Sequence, residues 1–291
     1  IGDDDTDSSD DIETNQHEYV MNFSGNLINL FGISAWLFLI WLGGLYYAIF
    51  ILVSMVIALG EYYYMMGKKG IKPLRWMGMV SCVFIADFYY VQPDITSFDI
   101  VGFLILIVIL VFIWELFSKN NGSSLNIAVT MGGILYIPIL LGTAIKIRQF
   151  DSLMDTSITF AVVISVWACD SAAFIMGSLY GKKKIFPSVS PNKSWIGSIS
   201  GLMAAIFICV LFQKQGFMGN IFNIWDALIF GIITGIFGQL GDFTESLIKR
   251  DIGVKDSGKI LAGHGGVLDR FDSLIFAMPL TYLYLHFVWQ V

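Results

Sequence analysis

The chain has 291 residues, of which 56% are hydrophobic and 14% are charged, and its formal net charge is −6. Soluble domains have roughly 25% charged and 45–50% apolar residues, so this composition excludes an ordinary soluble protein and disorder over most of the chain. Eight of the 23 acidic residues lie within residues 1–20, where there is no Lys or Arg, and without them 15 acidic residues face 17 basic ones. The negative charge therefore belongs to one end of the chain, and the remainder is slightly basic.

The N-terminal segment and the cysteines offer no sign of a functional site. Residues 1–22 are rich in Asp and Ser and poor in aromatics, which predicts an acidic disordered tail on the cytoplasmic side. The segment lacks the basic start of a signal peptide, so we expect that it is not one. Cys82, Cys169 and Cys209 lie far apart in apolar runs and are expected to be small core residues, not a disulfide framework or a zinc site.

The apolar runs predict an all-α polytopic membrane protein with about nine transmembrane helices. A spanning helix needs about 20 mostly apolar residues. Residues 19–60 contain no charge, which is too long for one span and suits two, with a turn at Gly43 and Gly44. The third span is short and carries Asp87, for which the sequence offers no partner. The predicted spans are 26–42, 45–63, 74–92, 98–117, 124–145, 157–180, 195–213, 224–248 and 273–290.

The distribution of basic residues predicts the orientation of these spans. Lys and Arg concentrate in cytoplasmic loops of membrane proteins. With the N-terminus in the cytoplasm, 14 of the 17 basic residues lie in or beside the inner loops, which are 64–73, 118–123, 181–194 and 249–272. Lys146, Arg148 and Lys214 are the exceptions. Glu61 and Glu115 lie at predicted span ends, where we expect them to reach the membrane surface.

Polar residues concentrate in the last inner loop and its flanks. Residues 241–273 contain five of the 17 basic and six of the 23 acidic residues. Asp269 and Asp272 follow at the entry to the ninth span. Carboxylates among Lys and Arg suit a divalent cation that holds phosphates, and glycines there let backbone N–H groups approach a phosphate. Four residues of the eighth span share one helical face through i, i+3, i+4, i+7 spacing: Asp242, Glu245, Ser246 and Lys249.

Each of these features also has a simpler interpretation. The loop can be a solvated segment with ordinary ion pairs, in which Asp272 caps a helix. Asp170, in the middle of the sixth span, is a functional candidate, yet it can equally make a single interhelical hydrogen bond. The basic loop 181–194 suits a triphosphate or an anionic lipid headgroup, but position alone accounts for its charge. A histidine such as His264, between two glycines, is more often a structural hydrogen-bonding residue than a ligand or base.

Residues 246–272 resemble the signature of the CDP-diacylglycerol synthase (phosphatidate cytidylyltransferase) family. The matching positions are Ser246, Lys249, Arg250, Lys255, Asp256, Gly258, Leu261, His264, Gly265, Gly266, Asp269, Arg270 and Asp272. A second polar block resembles the family at Asp170, Ser171, Gly181, Lys182 and 190–194. The resemblance is specific from about 165 to 275 and rests on hydropathy alone before residue 150.

The chain departs from the family pattern at three positions. Ala262 replaces a proline, which loses a rigid turn residue but no chemical group. Asn192 replaces a lysine, and Ile196 stands where the family commonly has a glutamate before Gly197. If that glutamate matters for activity, the chain is a weaker or catalytically silent relative.

The resemblance implies an enzyme that transfers CMP from CTP to phosphatidate and yields CDP-diacylglycerol and pyrophosphate. It makes residues 23–150 the N-terminal transmembrane helices and 151–291 the C-terminal transmembrane catalytic region. It implies Mg²⁺, with room for a second cation, as cofactor. The implied partners are CTP, phosphatidate and bilayer lipid, with no nucleic acid and a possible homodimer. The active site would face the cytoplasm from a bacterial inner membrane or an endoplasmic reticulum.

The resemblance also implies roles for individual residues. Asp242 and Asp269 are the first-choice metal ligands and Asp272 the next, and Lys249 and Arg250 complete the catalytic set. The implied substrate-binding residues are Ser246, Lys255, Asp256, Lys259, His264, Arg270, Asp170, Lys193 and Ser194.

Two other functions remain open from the sequence. A CTP-dependent lipid kinase, such as one for dolichol or phytol, would also use CTP but would release CDP. A transporter or flippase of an anionic solute belongs to another class, and it is disfavoured because the charges gather near the cytoplasmic mouth and not at the bilayer midplane.

Overall fold

A computed structural model of the chain describes residues 32–91, 100–118, 122–258 and 265–289. The acidic tail, Lys259 and His264 lie outside these residues. The described residues form helices and no β-strand, which confirms the all-α membrane fold. Within these described residues, seven helices are long and apolar enough to cross a membrane, so the predicted count of nine spans is not confirmed. The helices are α1 Gly32–Leu42, α2 Gly44–Gly67, α3 Arg75–Tyr90, α4 Ile100–Ser118, α5 Ser123–Met154, α6 Ile158–Tyr180, α7 Trp195–Lys214, α8 Ile224–Ile252 and α9 Leu268–Trp289.

The helix boundaries follow from local backbone chemistry. Gly43 separates α1 from α2 with φ of 63°, a conformation that favours glycine, which confirms the predicted turn. α5 is longer than predicted because it continues to Met154 through a π-helical turn at Leu135–Ile139, which contains Pro138. A π turn lets the helix continue past a proline that cannot donate its own hydrogen bond. A second π turn, Ile233–Phe237, lies within α8.

The helices pack in two groups that meet through α9. In the first group α2, α3 and α5 contact one another, and in the second α6, α7, α8 and α9 follow one another in contact. α9 also packs along the second half of α5, which joins the two groups. α4 is peripheral, because only 17% of its most apolar 18-residue stretch is buried inside the protein. Cys82, Cys169 and Cys209 are free and buried, as predicted.

Buried carboxylates fix the register between helices of the first group and their neighbours. Glu115 of α4 is 3% exposed and accepts a hydrogen bond from the Nδ2 of Asn126 at 2.6 Å. The expectation that Glu115 reaches the membrane surface is therefore wrong, because its donor lies on the neighbouring helix. Asp151 accepts from the amides of Ile158 at 2.7 Å and Thr159 at 2.8 Å, so it caps α6.

Glycines allow the helices that carry the polar residues to approach each other closely. A Cβ at Gly197 of α7 would lie 2.6 Å from the carbonyl oxygen of Ala173 in α6. A Cβ at Gly241 of α8 would collide with the backbone oxygen of Asp272 in α9 and lie 3.3 Å from the Cα of Ser273. Small residues permit such backbone contact between membrane helices. Gly241 thereby sets the spacing between Asp272 and the adjacent Asp242.

Gly241→Ala is expected to destabilise the protein by about 1–3 kcal/mol, because its methyl group forces α8 and α9 apart. Gly60→Ala is the matched control, since a Cβ at Gly60 of α2 meets no atom within 4 Å. That control is expected to be neutral or to stabilise by up to about 1 kcal/mol through helix propensity. Thermal unfolding in detergent micelles measures both, and equal melting temperatures for the two variants would contradict the close contact.

Candidate active site

A cavity of about 680 Å³ brings the two polar blocks of the sequence together. Its walls are the second half of α6, the loop 181–194, the start of α7, the middle of α8 and the first turns of α9. The charged and amide side chains that line it are Asp170, Lys182, Lys184, Asn192, Lys193, Gln239, Asp242, Asp269 and Asp272. Helices far apart in sequence thus supply one site.

The loop 181–194 folds back on itself and carries its lysines to the cavity. The amide of Trp195 donates to the carbonyl of Lys183 at 3.1 Å, and the amide of Ile185 donates to the carbonyl of Lys193 at 3.2 Å. Ser194 is buried, and its hydroxyl accepts from the amide of Gly197 at 3.2 Å, so it caps α7 at the cavity wall. This hydroxyl already accepts a hydrogen bond from the first turn of α7. The predicted substrate-binding role of Ser194 stays a prediction.

Asp242, Glu245 and Lys249, which the residue spacing places on one face of α8, all form ion pairs. Asp242 forms an ion pair with Lys193, whose ammonium lies 4.5 Å from the centre of the Phe243 ring. One turn later Glu245 is fully buried and pairs with Lys249 at 2.5 Å. Asp242 therefore belongs to the cavity wall, and the pair of Glu245 and Lys249 forms a layer behind it.

Asp269 is held firmly at the start of α9. Its carboxylate accepts from the Nζ of Lys249 at 2.7 Å, the amide of Ser257 at 3.1 Å and the amide of Gly266 at 2.6 Å. Lys249 thus lies between two carboxylates, Glu245 and Asp269, and its side chain is 12% exposed. The geometry gives Lys249 a neutralising role between these groups, and its predicted contact with phosphate stays a prediction.

Acidic and basic side chains line the same cavity. Its carboxylates include Asp170, Asp242 and Asp272, and its ammonium groups are those of Lys182, Lys184 and Lys193. Carboxylates and ammonium groups that face one cavity suit a divalent cation together with phosphates.

Protein ligands alone do not complete a metal site here. Among the residues that the structure describes, no group of three or more His, Cys, Asp and Glu side chains is arranged to hold a metal ion. Mg²⁺ is usually bound by one or two carboxylates together with phosphate oxygens and water. Asp242 and Asp272 fit that pattern, whereas the oxygens of Asp269 are already engaged by three donors.

Several predicted binding residues lie outside the cavity lining. The Nε of Arg250 donates to the backbone oxygen of Val189 at 3.2 Å, so Arg250 ties α8 to the basic loop. Lys255, Asp256 and Arg270 are exposed on the surface around the site. Ser246 lies behind the wall, with its hydroxyl 3.4 Å from an oxygen of Asp242. Their substrate-binding roles remain predictions.

A helix that the sequence did not connect with the signature also reaches it. Glu61 of α2 accepts hydrogen bonds from the amides of Val267 at 3.0 Å and Leu268 at 2.8 Å, and from the hydroxyl of Ser257 at 3.1 Å. It is 5% exposed, so the expectation that Glu61 reaches the membrane surface is wrong. A partner more than 190 residues away leaves no signal in residue spacing.

Glu61, and not Asp272, caps the start of α9. α9 begins at Leu268, one turn before Asp272, so Asp272 lies inside the helix and faces the cavity. The amides at the helix start instead bond to Glu61.

Two other site residues escaped the sequence interpretation. Glu245 was recognised only as part of the α8 face, and Gln239, three residues before Asp242, donates to the carbonyl of Ser198 at 3.0 Å.

Described parts of three basic loops lie near the end of α8. Lys69, after α2, pairs with Asp251 at the end of α8 at 2.6 Å. The bond from Arg250 to Val189 joins the same end of α8 to the loop 181–194, which lines the cavity. The described basic residues of these loops therefore lie near one another, beside the cavity.

Comparison with known proteins supplies the family. The sequence pattern of the cytidylyltransferase family matches residues 26–288. The phosphatidate cytidylyltransferase of Staphylococcus epidermidis is 36% identical over 240 residues, which cover 82% of this chain and 89% of that protein. That of Bacillus subtilis is 33% identical over 256 residues, or 86% of this chain and 92% of that protein. That of Staphylococcus aureus strain COL is 34% identical over 241 residues, or 82% and 89%. Because the family pattern matches residues 26–288 and these relatives are 33–36% identical over 82–86% of the chain, the chain belongs to the cytidylyltransferase family.

Proposed function

We propose that this integral membrane protein is a phosphatidate cytidylyltransferase, which converts CTP and phosphatidate to CDP-diacylglycerol and pyrophosphate. The observation that carries the proposal is a single cavity in which carboxylates and lysines meet an apolar wall. The relatives named above bear the name of this activity. Such a cavity suits a reaction between a water-soluble triphosphate and a lipid phosphate.

The reaction requires a bond exchange at phosphorus. A phosphate oxygen of phosphatidate attacks the α-phosphorus of CTP, a new P–O bond forms, and the bond to the β-phosphate oxygen breaks with release of pyrophosphate. No side-chain nucleophile is needed. The main barrier is the repulsion between two anions, which fixed cations reduce in the transition state. Lys182, Lys184 and Lys193 line the cavity and supply that positive charge.

Asp242 and Asp272, whose carboxylates line the same cavity, would hold a divalent cation. When bound, Mg²⁺ would neutralise phosphate charge and orient the triphosphate. Asp170 lines the same cavity, where its carboxylate would add a further oxygen ligand or negative charge near the cation. Lys193 binds Asp242 in the structure, and it is suited to move onto a phosphate oxygen as the triphosphate enters.

The lipid substrate is proposed to enter along α6. Phe174, Leu179 and Tyr180 line the cavity and are also largely exposed on the outer surface of α6, where Phe174 is 76% exposed. Apolar side chains at a site mouth let acyl chains remain in the bilayer while the headgroup reaches the polar wall. The gathered basic loops support a cavity that faces the cytoplasm, where CTP is present.

A product assay separates this proposal from the alternatives. Purified protein in lipid vesicles receives CTP, phosphatidate and Mg²⁺, and both nucleotide and lipid products are measured. We expect pyrophosphate and CDP-diacylglycerol, formed only when phosphatidate is present. Release of CDP when a lipid alcohol such as dolichol or phytol replaces phosphatidate would instead indicate a lipid kinase. Solute flux without nucleotide turnover would indicate a transporter. No turnover at all would indicate a catalytically silent relative, the alternative that Ile196 raises.

Asp242→Asn is expected to lower kcat by about 100-fold to 1,000-fold, the range for loss of one preorganised electrostatic group. The substitution removes a cavity carboxylate and the partner of Lys193 while it preserves side-chain size. Asp251→Asn on the same helix is the control, since Asp251 pairs with Lys69 on the surface and is expected to retain activity. Comparable activities for the two variants in the pyrophosphate assay would argue against a role for Asp242.

Asp272→Asn is expected to raise the Mg²⁺ concentration for half-maximal activity by at least about tenfold, because it removes one of two proposed ligands. A chelator is expected to abolish turnover by the unsubstituted protein, and added Mg²⁺ to restore it. The titration is compared with that of Asp251→Asn. A Mg²⁺ dependence unchanged by Asp272→Asn would show that this carboxylate is not a ligand.

A further inference from the structure

Glu61 lies in the half of the chain for which the sequence gives no functional signal, yet its carboxylate faces the signature. Among the described residues its donors are Ser257 in the loop before α9, Val267 directly before the helix, and Leu268 at the helix start. The carboxylate is 5% exposed. A buried carboxylate with three donors from another part of the chain holds those donors in place, because each lost bond would leave a buried polar group unsatisfied.

The start of α9 depends on this distant group. The first amides of a helix have no partner within the helix and are usually capped by a nearby Ser, Thr, Asp or Asn. Val267, which precedes the helix, has no side-chain oxygen. Glu61 supplies the missing acceptor, and its negative charge also suits the positive end of the helix dipole.

Two signature glycines make room for the carboxylate. A Cβ at Gly258 would collide with one oxygen of Glu61, and a Cβ at Gly266 would collide with the other. In the structure these glycines therefore surround a carboxylate of the protein itself. Whether they also admit a phosphate, as the sequence suggested, stays a prediction.

A short chain of contacts links Glu61 to the cavity wall. Ser257 donates its hydroxyl to Glu61 and its amide to Asp269. Asp269 in turn holds Lys249, which pairs with Glu245. Displacement of Ser257 would thus disturb Asp269 directly and Lys249 through it.

We propose that Glu61 is a positioning residue for cytidylyl transfer, which holds Ser257 and the first turn of α9 so that Asp269 and Asp272 keep their places at the cavity. The inference rests on the proposed function. It assigns α2 a part in the active site, because one of its side chains determines where the catalytic carboxylates stand.

Glu61→Gln tests the proposal, since it preserves size but replaces one acceptor oxygen with an NH₂ group that opposes an amide donor. We expect kcat to fall by about 10-fold to 100-fold, as is usual when support of a metal-site residue is lost. The Mg²⁺ concentration for half-maximal activity should rise as well, with a smaller change in KM for CTP. All measurements are made well below the melting temperature of each variant.

Glu115→Gln is the matched control. Glu115 of α4 is also a buried glutamate, at 3% exposed, and it accepts a hydrogen bond from Asn126 of α5. We expect both variants to lower the melting temperature and Glu61→Gln alone to change kcat and the Mg²⁺ dependence. A kcat within twofold of the unsubstituted protein for Glu61→Gln, with only its melting temperature lowered, would overturn the proposal.

A second variant tests the proposal even if Glu61→Gln does not fold. Ser257→Ala removes the hydroxyl bond to Glu61 and leaves the amide bond to Asp269. We expect about a threefold loss of kcat, and a double variant that is no worse than Glu61→Gln, because the two groups act through one contact. Fully multiplicative effects would show that they act independently and would contradict the proposed linkage.

Hydrogen exchange separates this inference from the proposed function. The amides of Val267 and Leu268 are expected to exchange at least tenfold faster in Glu61→Gln than in Glu115→Gln, whether or not the protein turns over CTP. If the unsubstituted protein releases no pyrophosphate, the proposed function fails while this exchange test still reports on the link. Unchanged exchange in Glu61→Gln would refute the positioning role even in an active enzyme.

Discussion

A carboxylate that is withdrawn from water within a membrane protein must obtain donors from its surroundings, and this requirement organises the molecule. An unpaired charge in such a place costs at least about 2.5–3.5 kcal/mol. Glu115 obtains its donor from the next helix, and Asp151 obtains backbone amides of α6. Asp226 accepts from the hydroxyl of Tyr284 on α9 at 2.5 Å. Because apolar helix surfaces have little preference among one another in lipid, these directional bonds determine how the helices align.

The same requirement separates the site into two layers. Behind the wall, Lys249 lies between Glu245 and Asp269, and all their bonds are to protein groups. At the wall, Asp242 pairs with Lys193, and Asp170 and Asp272 line the same cavity. The side chains of the inner layer are engaged with one another, whereas the outer layer lines the cavity in which we propose that a cation and a triphosphate bind. A triphosphate that displaced the inner pairs would leave buried charges uncompensated, which favours binding at the outer layer.

Much of this arrangement could be predicted from the sequence, because it depends on periodicity and local composition. The span positions follow from hydropathy, and the face from Asp242 to Lys249 follows from helical spacing. Periodicity does not say which face of another helix a given face meets. In the sequence alone, Lys249 therefore resembles a phosphate ligand, because its pairing with two carboxylates is not apparent there. Glu61 likewise resembles a residue at the membrane surface. Its bond to Val267 joins residues 206 positions apart, and no local pattern encodes such a contact.

That separation has a consequence for biosynthesis. Ribosomes add about 5–20 residues per second, so roughly 10–40 s pass between synthesis of Glu61 and synthesis of its partner Val267, 206 residues later. During this interval α2 is present while its carboxylate has none of its final donors. A nascent chain that stops before α9 exposes an unsatisfied glutamate at the end of an apolar helix. Completion of the active site and removal of that exposed charge are therefore the same late event, so a truncated chain would present a feature by which quality-control systems could distinguish it from the finished protein.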